Sequence, residues 1–121
     1  MSIIIRIAFS IIALLIDAGA AEALEQETTR VRYHGKHGPS DRLDACWTLA
    51  KGCDRNVPDT FCRYKGYEKA LKWEMEHVSP TRTMWMGHLC EGAHCASFKS
   101  IVCFTSKSQP GKGITWPEPM D

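Results

Sequence analysis

The sequence predicts a small disulfide-rich α+β domain, with one short helix packed on a three-stranded antiparallel sheet. Three observations predict it. Six cysteines, Cys46, Cys53, Cys62, Cys90, Cys95 and Cys103, fall within 58 residues of a 121-residue chain. The chain opens on an export signal, and exported proteins reach compartments where thiols oxidise. Among the cysteines, a helix with start and stop signals precedes runs of two-residue periodicity.

The first twenty residues have the three parts of a secretory signal. Arg6 supplies the cation, residues 7–16 are apolar except for Ser10, and Ala18-Gly19-Ala20 places small residues where a signal peptidase reads. Cleavage after Ala20 is expected, and Ala21-Glu22-Ala23 offers a second cut of the same form. The apolar run is ten residues, or fourteen counted from Ile3, short of the ~20 that span a bilayer. A soluble product, secreted or periplasmic, is the expectation, with no membrane contact after cleavage. Without residues 1–20 the chain has 101 residues and still carries a net charge of +1. A balance so near neutrality argues against nucleic acid as a partner.

Composition divides the remainder. Residues 21–43 are polar, with Leu24, Val31, Tyr33 and Leu43 as their only large apolar groups, and read as a flexible leader. Residues 106–121 hold Pro110, Gly111, Gly113, Pro117 and Pro119 and read as a flexible tail in which Trp116 stands exposed. The folded unit is then 44–105. Sixty residues build a small core, and such domains need staples. A bridge such as Cys62 to Cys103, closing about forty residues, would contribute roughly 4 kcal/mol in the chain-entropy picture.

Inside that unit, Asn56 is placed to cap a helix, Pro58 suits its first turn and Asp59 sits where the dipole favours an anion. Val57, Phe61 and Tyr64 share one face, with Cys62 beside it, and Gly66 can end the helix in a left-handed conformation. Residues 67–78 satisfy a helical stripe, but Leu71-Lys72-Trp73-Glu74-Met75-Glu76-His77 alternates without a break, so a strand with Trp73 on its apolar side is predicted. Ser79-Pro80 turns the chain, 81–86 reads as a second strand and 98–104 as a third. Six cysteines permit fifteen connectivities. Cys90–Cys95 would close a tight loop through Gly92, and Cys62–Cys103 would pin the helix to the last strand, leaving Cys46–Cys53. The sequence does not choose among the fifteen.

The elements Cys53-Asp54-Arg55, Phe61-Cys62-Arg63, Lys65-Gly66-Tyr67, Pro80-Thr81-Arg82, Cys90-Glu91-Gly92, Cys95 and Phe98-Lys99-Ser100-Ile101-Val102-Cys103 form one plan. It resembles small exported cysteine-rich domains of bacterial proteins that have no assigned activity. The likeness spans about half the mature chain, implies a disulfide fold and transfers no catalytic residue. Cys95, Phe98-Lys99, Ile101 and Cys103 are also similar to the last strand of rhamnose-binding egg lectins, whose tyrosine-glycine-arginine motif is absent here.

Several residues could carry chemistry. Met84, Met86 and His88, placed on one side of a strand, would offer two thioethers and an imidazole, a set suited to Cu(I). His94 could complete such a site, with Cys90 or Cys95 if reduced. His34 and His37 together fill only part of a metal shell. With the cysteines paired and these sets incomplete, no resident metal and no cofactor are expected. Glu74 and Glu76 share the polar face of their strand, where solvation accounts for them. No Gly-x-Ser-x-Gly elbow occurs, and so small a unit has little room to enclose a substrate, so an enzyme is not expected. The surplus rings Trp47, Tyr64, Tyr67, Trp73 and Trp85 fit recognition instead. Trp85 and Tyr67 as platform, with Arg82 and Arg63 as charged rim, would serve a monomeric binding module for a glycan or a protein. A secreted inhibitor or toxin, inserting residues 87–94 as a loop, is the other alternative.

Overall fold

The structure, a computed structural model, describes residues 22–38 and 41–119; the expected export signal at 1–20 lies outside the described residues. The elements in chain order are β1 (Leu24–Thr29), β2 (Arg42–Leu43), α1 (Asn56–Tyr64), β3 (Lys69–His77), β4 (Thr81–Arg82), β5 (Leu89–Cys90) and β6 (Ala96–Thr105). β6 is the middle strand of the main sheet and runs antiparallel to both β1 and β3. A smaller sheet has the order β2-β4-β5, with β2 parallel to β4. The helix packs on the main sheet and is bonded to it through Cys62–Cys103.

This is the predicted class, with one strand exchanged. The third strand of the main sheet is β1, not 81–86. β6 is ten residues long and exposes ladder groups on both edges. β1 answers them from Leu24↔Thr105 to Thr29↔Ser100. After Thr81–Arg82 the chain turns instead of extending. Thr83 Oγ1 donates to the Trp85 carbonyl (2.7 Å) and accepts from the His88 amide (3.0 Å), and Met86 takes a φ of 68°. That is a turn conformation, incompatible with a strand to residue 86.

The described part of 21–43 is therefore no flexible leader. Val31, Tyr33 and Leu43 are fully buried. An edge strand is held by main-chain hydrogen bonds and needs only one covered face, so a polar sequence can supply it. The stretch 106–119 likewise returns to the fold. The amide of Gly111 donates to the Gly66 carbonyl (2.8 Å) and that of Ile114 to the Arg63 carbonyl (3.2 Å). A Cβ on Gly113 would lie 1.9 Å from the Tyr64 carbonyl oxygen, so only glycine lets the tail run this close to the helix end. Trp116 is 7% exposed rather than free. Its ring meets Tyr33 and Tyr64 edge-on at centroid distances of 5.5 and 5.0 Å, and His34 stacks on Tyr64 at 5.3 Å. The Trp116 indole N–H has no acceptor among the described residues.

Asn56 is the first helical residue rather than the cap; its amide donates to Asp54 Oδ1 (2.9 Å), an Asx turn that reaches the helix from two residues upstream. Gly66 closes the helix at φ 92°, as its position predicts. Buried Asp59 accepts from Arg55 Nε (2.8 Å) and from the Ala70 amide (2.9 Å), while Arg55 Nη2 donates to the Ala70 carbonyl (3.1 Å). Burial alone would raise the Asp59 carboxyl. The Arg55 and Ala70 hydrogen bonds and the Arg55 and Arg63 charges outweigh it and hold the group below its ordinary range.

Residues 69–77 are a strand, as the alternation predicts, but Leu71 on β3 and Lys99 on β6 fall at register shifts. The shifts leave Trp73 half-buried under Arg55, 5.4 Å from the ring centroid. The disulfides are Cys46–Cys53, Cys62–Cys103 and Cys90–Cys95, with no free cysteine.

Replacing Cys62 and Cys103 together by alanine is expected to cost about 4 kcal/mol, and Cys90 with Cys95 about 2 kcal/mol, from loop length; urea unfolding beside the parent measures the difference. Trp116→Ala should lose about 3–5 kcal/mol. Trp116→Phe should lose clearly less in the same assay, because the indole N–H makes no hydrogen bond to forfeit.

Although much of His34 remains exposed, desolvation by the neighbouring rings, and then the Lys65 charge, hold its imidazole below the ordinary value of 6.5. The unfolded chain takes up this proton first, so stability is complete above that value and declines as pH falls through the lower, folded one. Melting temperatures taken from about pH 7.5 down to about pH 5 should fall in the parent and fall less in His34→Gln.

Candidate functional site

A concavity lies between two disulfides, and its walls are local structures. The first wall is the loop that Cys46–Cys53 closes. Trp47 N–H donates to the Gly52 carbonyl (3.0 Å), and Thr48 and Lys51 exchange main-chain bonds of 3.1 Å. Leu49 and Ala50 are left at the tip, and Ala50 and Gly52 both take positive φ. A Cβ on Gly52 would lie 2.8 Å from the Trp47 Cβ. The second wall is β5 with the loop that Cys90–Cys95 closes. There Gly92, at φ 115°, lets its carbonyl accept from the Cys95 amide (3.2 Å).

Asp44 joins the walls from below. Its Oδ1 accepts from the Cys46 amide (2.9 Å), its Oδ2 from the Thr81 hydroxyl (2.6 Å), and its own amide donates to the Arg82 carbonyl (2.8 Å). The next amide, Ala45, donates to Ala96 of β6 (2.8 Å). The resulting groove has a volume of about 370 Å³. Its lining is mostly apolar: Ala45, Leu49, Ala50, Leu89 and Ala96, with Cys46 and the Cys90–Cys95 bridge. Leu49 and Leu89 are 46% and 40% exposed at its mouth. Glu91 and His94 are the solvent-facing polar groups of the rim.

Chemically the rim offers little. His94 Nε2 lies 3.6 Å from Cys90 Sγ, and the ligand atoms of Cys90, His94 and Cys95 fall within 4.8 Å of one another. Both sulfurs, however, are spent in one bond, so the trio presents no thiolate in this oxidation state. Asp44 is committed to the three contacts above.

The four predicted recognition residues do not assemble. Arg63 is exposed on α1, and Tyr67 just beyond it is 7% exposed, its hydroxyl bonded to Gln26. Tyr67 is a core ring, not a platform. Arg82 and Trp85 belong to the small sheet and its turn. Arg82 Nε pairs with Asp41 (2.6 Å) and Nη1 with the Gly87 carbonyl (2.7 Å). Trp85 lies over Trp47, the centroids 6.1 Å apart and the planes 13° apart, so one face of each ring is covered by the other. The thioether set is separated too. The turn buries Met84 completely and leaves Met86 42% exposed, so Met84, Met86 and His88 do not share a side. Residues 87–94 are no free loop, since Leu89 and Cys90 pair with β4, the His88 amide is bonded to Thr83, and Cys90–Cys95 closes the turn whose Glu91 and His94 line the groove.

Sequence reasoning missed the groove. Leu49 and Leu89 are forty residues apart, and the signal that unites them is the pairing of their flanking cysteines into two short loops hung from Asp44. Comparison of the chain with protein-family models, curated proteins and solved structures finds no match. The likeness to small exported cysteine-rich domains therefore rests on the quoted residues alone.

Proposed function

We propose that the chain is an exported recognition module, secreted or periplasmic, that binds a protein ligand by taking an apolar side chain into the groove between Cys46–Cys53 and Cys90–Cys95. The observation that carries the reading is an apolar concavity of about 370 Å³ whose two walls are covalently closed. Such walls are ordered before binding, so little conformational entropy is lost on association. The volume lies within the range of ligand pockets, roughly 300–1,000 Å³.

Protein is favoured over glycan by the lining. Sugars need a free ring face flanked by several donors and acceptors. Here no tryptophan or tyrosine lines the groove, and the rim polar groups are Glu91 and His94. Export is favoured by three disulfides in so small a chain, and no described helix is long and apolar enough to cross a membrane. Either expected signal cut leaves Leu24, the first residue of β1, in place.

Selection of a displayed peptide library on the oxidised protein tests this. Enriched peptides should share a bulky apolar anchor and should bind Leu49→Asp and Leu89→Asp about tenfold more weakly, with Lys99→Glu on β6 as an unchanged control. Peptides indifferent to both leucine variants, or a positive glycan array with no peptide selected, would sink the reading.

A further inference from the structure

β3 is an edge of the main sheet, and among the described residues no strand or main-chain hydrogen bond covers its outer side beyond Ala70. The Arg55–Asp59 pair occupies the Ala70 groups and stops there. Leu71 and Met75 follow, 42% and 56% exposed, with exposed Lys72 and Glu74 between them around half-buried Trp73. A free edge of this kind is a template for another strand.

The order of residues says which strand. Read from either end, Leu71-Lys72-Trp73-Glu74-Met75 runs apolar, charged, aromatic, charged, apolar, with the charges of opposite sign. Turned antiparallel on itself about Trp73, it sets Leu71 opposite Met75, Lys72 opposite Glu74, and Trp73 opposite its own copy. Directly opposed residues share a face, so both ion pairs form on one side of the sheet, away from Trp73, while the register shift at Leu71 sets that residue apart from the Trp73 and Met75 face. Moving the two-fold axis one residue either way would oppose Lys72 with Lys72 or Glu74 with Glu74. The charges therefore specify a single register. A lysine on an edge ordinarily repels a second strand; here Glu74 of the second strand meets it.

We propose that two copies of this chain associate antiparallel along β3, centred on Trp73, to form a continuous six-stranded sheet with an isologous interface. The regular ladder spans 72–74 of each copy, because Leu71 stands at a register shift and Ala70 is already occupied from the helix. The sequence predicts a monomeric module, and the association proposed instead is independent of the groove described above.

Sedimentation of the oxidised chain over a concentration series reaching about 1 mM suits so short an interface. Four proteins are compared: the parent, Lys72→Glu, Glu74→Lys and the double exchange. Lys72 and Glu74 are exposed, so the exchanges leave the core untouched. The parent should dimerise. Each single exchange places two like-charge contacts in the interface and should weaken association about tenfold, and the double exchange should return it to within about threefold of the parent. A parent that stays monomeric throughout overturns the proposal. So does association that ignores either single exchange, or that the double exchange does not restore.

Discussion

The bond between Cys62 and Cys103 fastens the helix to the middle strand of the main sheet. Much of the remaining architecture uses that attachment. With α1 fixed over β6, Val57 and Phe61 reach the sheet's inner face, where Ile101 and Phe98 are fully covered. The helix end is then held where Arg63, Tyr64 and Gly66 receive the C-terminal segment. A core of this size has few apolar contacts to spare for holding a nine-residue helix in register. The covalent link supplies that register directly.

The helix also gives one sheet edge its polar partner. Asp59 and Arg55 satisfy the amide and carbonyl of Ala70 at once, as a neighbouring strand would. The carboxylate does this from a buried position, and its ionisation is kept favourable by the guanidinium beside it. The opposite edge is treated differently. β1 carries exposed Glu25 and Glu27, charges of the kind that disfavour a further strand on an uncovered edge. β3 beyond Ala70 receives neither treatment in full.

Much of this was legible where the cause is local. The helix announces itself through Pro58, the Val57–Phe61–Tyr64 face and Gly66, and β3 and β6 through alternation and β-branched residues. The observed disulfides coincide with the pairing that those elements make economical. What escaped reading depends on distant partners. Residues 24–33 look like solvent-loving chain until β6 is laid beside them, and Val31 and Tyr33 are too few to advertise burial. Trp116 looks stranded until Tyr33, His34 and Tyr64 converge around it. Arg82 and Tyr67 carry the right chemistry for a surface, yet Asp41, Gly87 and Gln26 claim them first. The groove belongs to two loops that no single window of sequence contains.

The pairing of β1 with β6, and of Tyr33 with Trp116, joins nearly the first described residues to nearly the last. A ribosome releases the chain from its N-terminus. Leu24–Thr29 thus waits without a neighbour until Ala96–Thr105 has been made, and Tyr33 stays uncovered until eleven further residues follow. The full set of native contacts is accordingly a late event in biosynthesis, open to the chain only once Trp116 has followed β6.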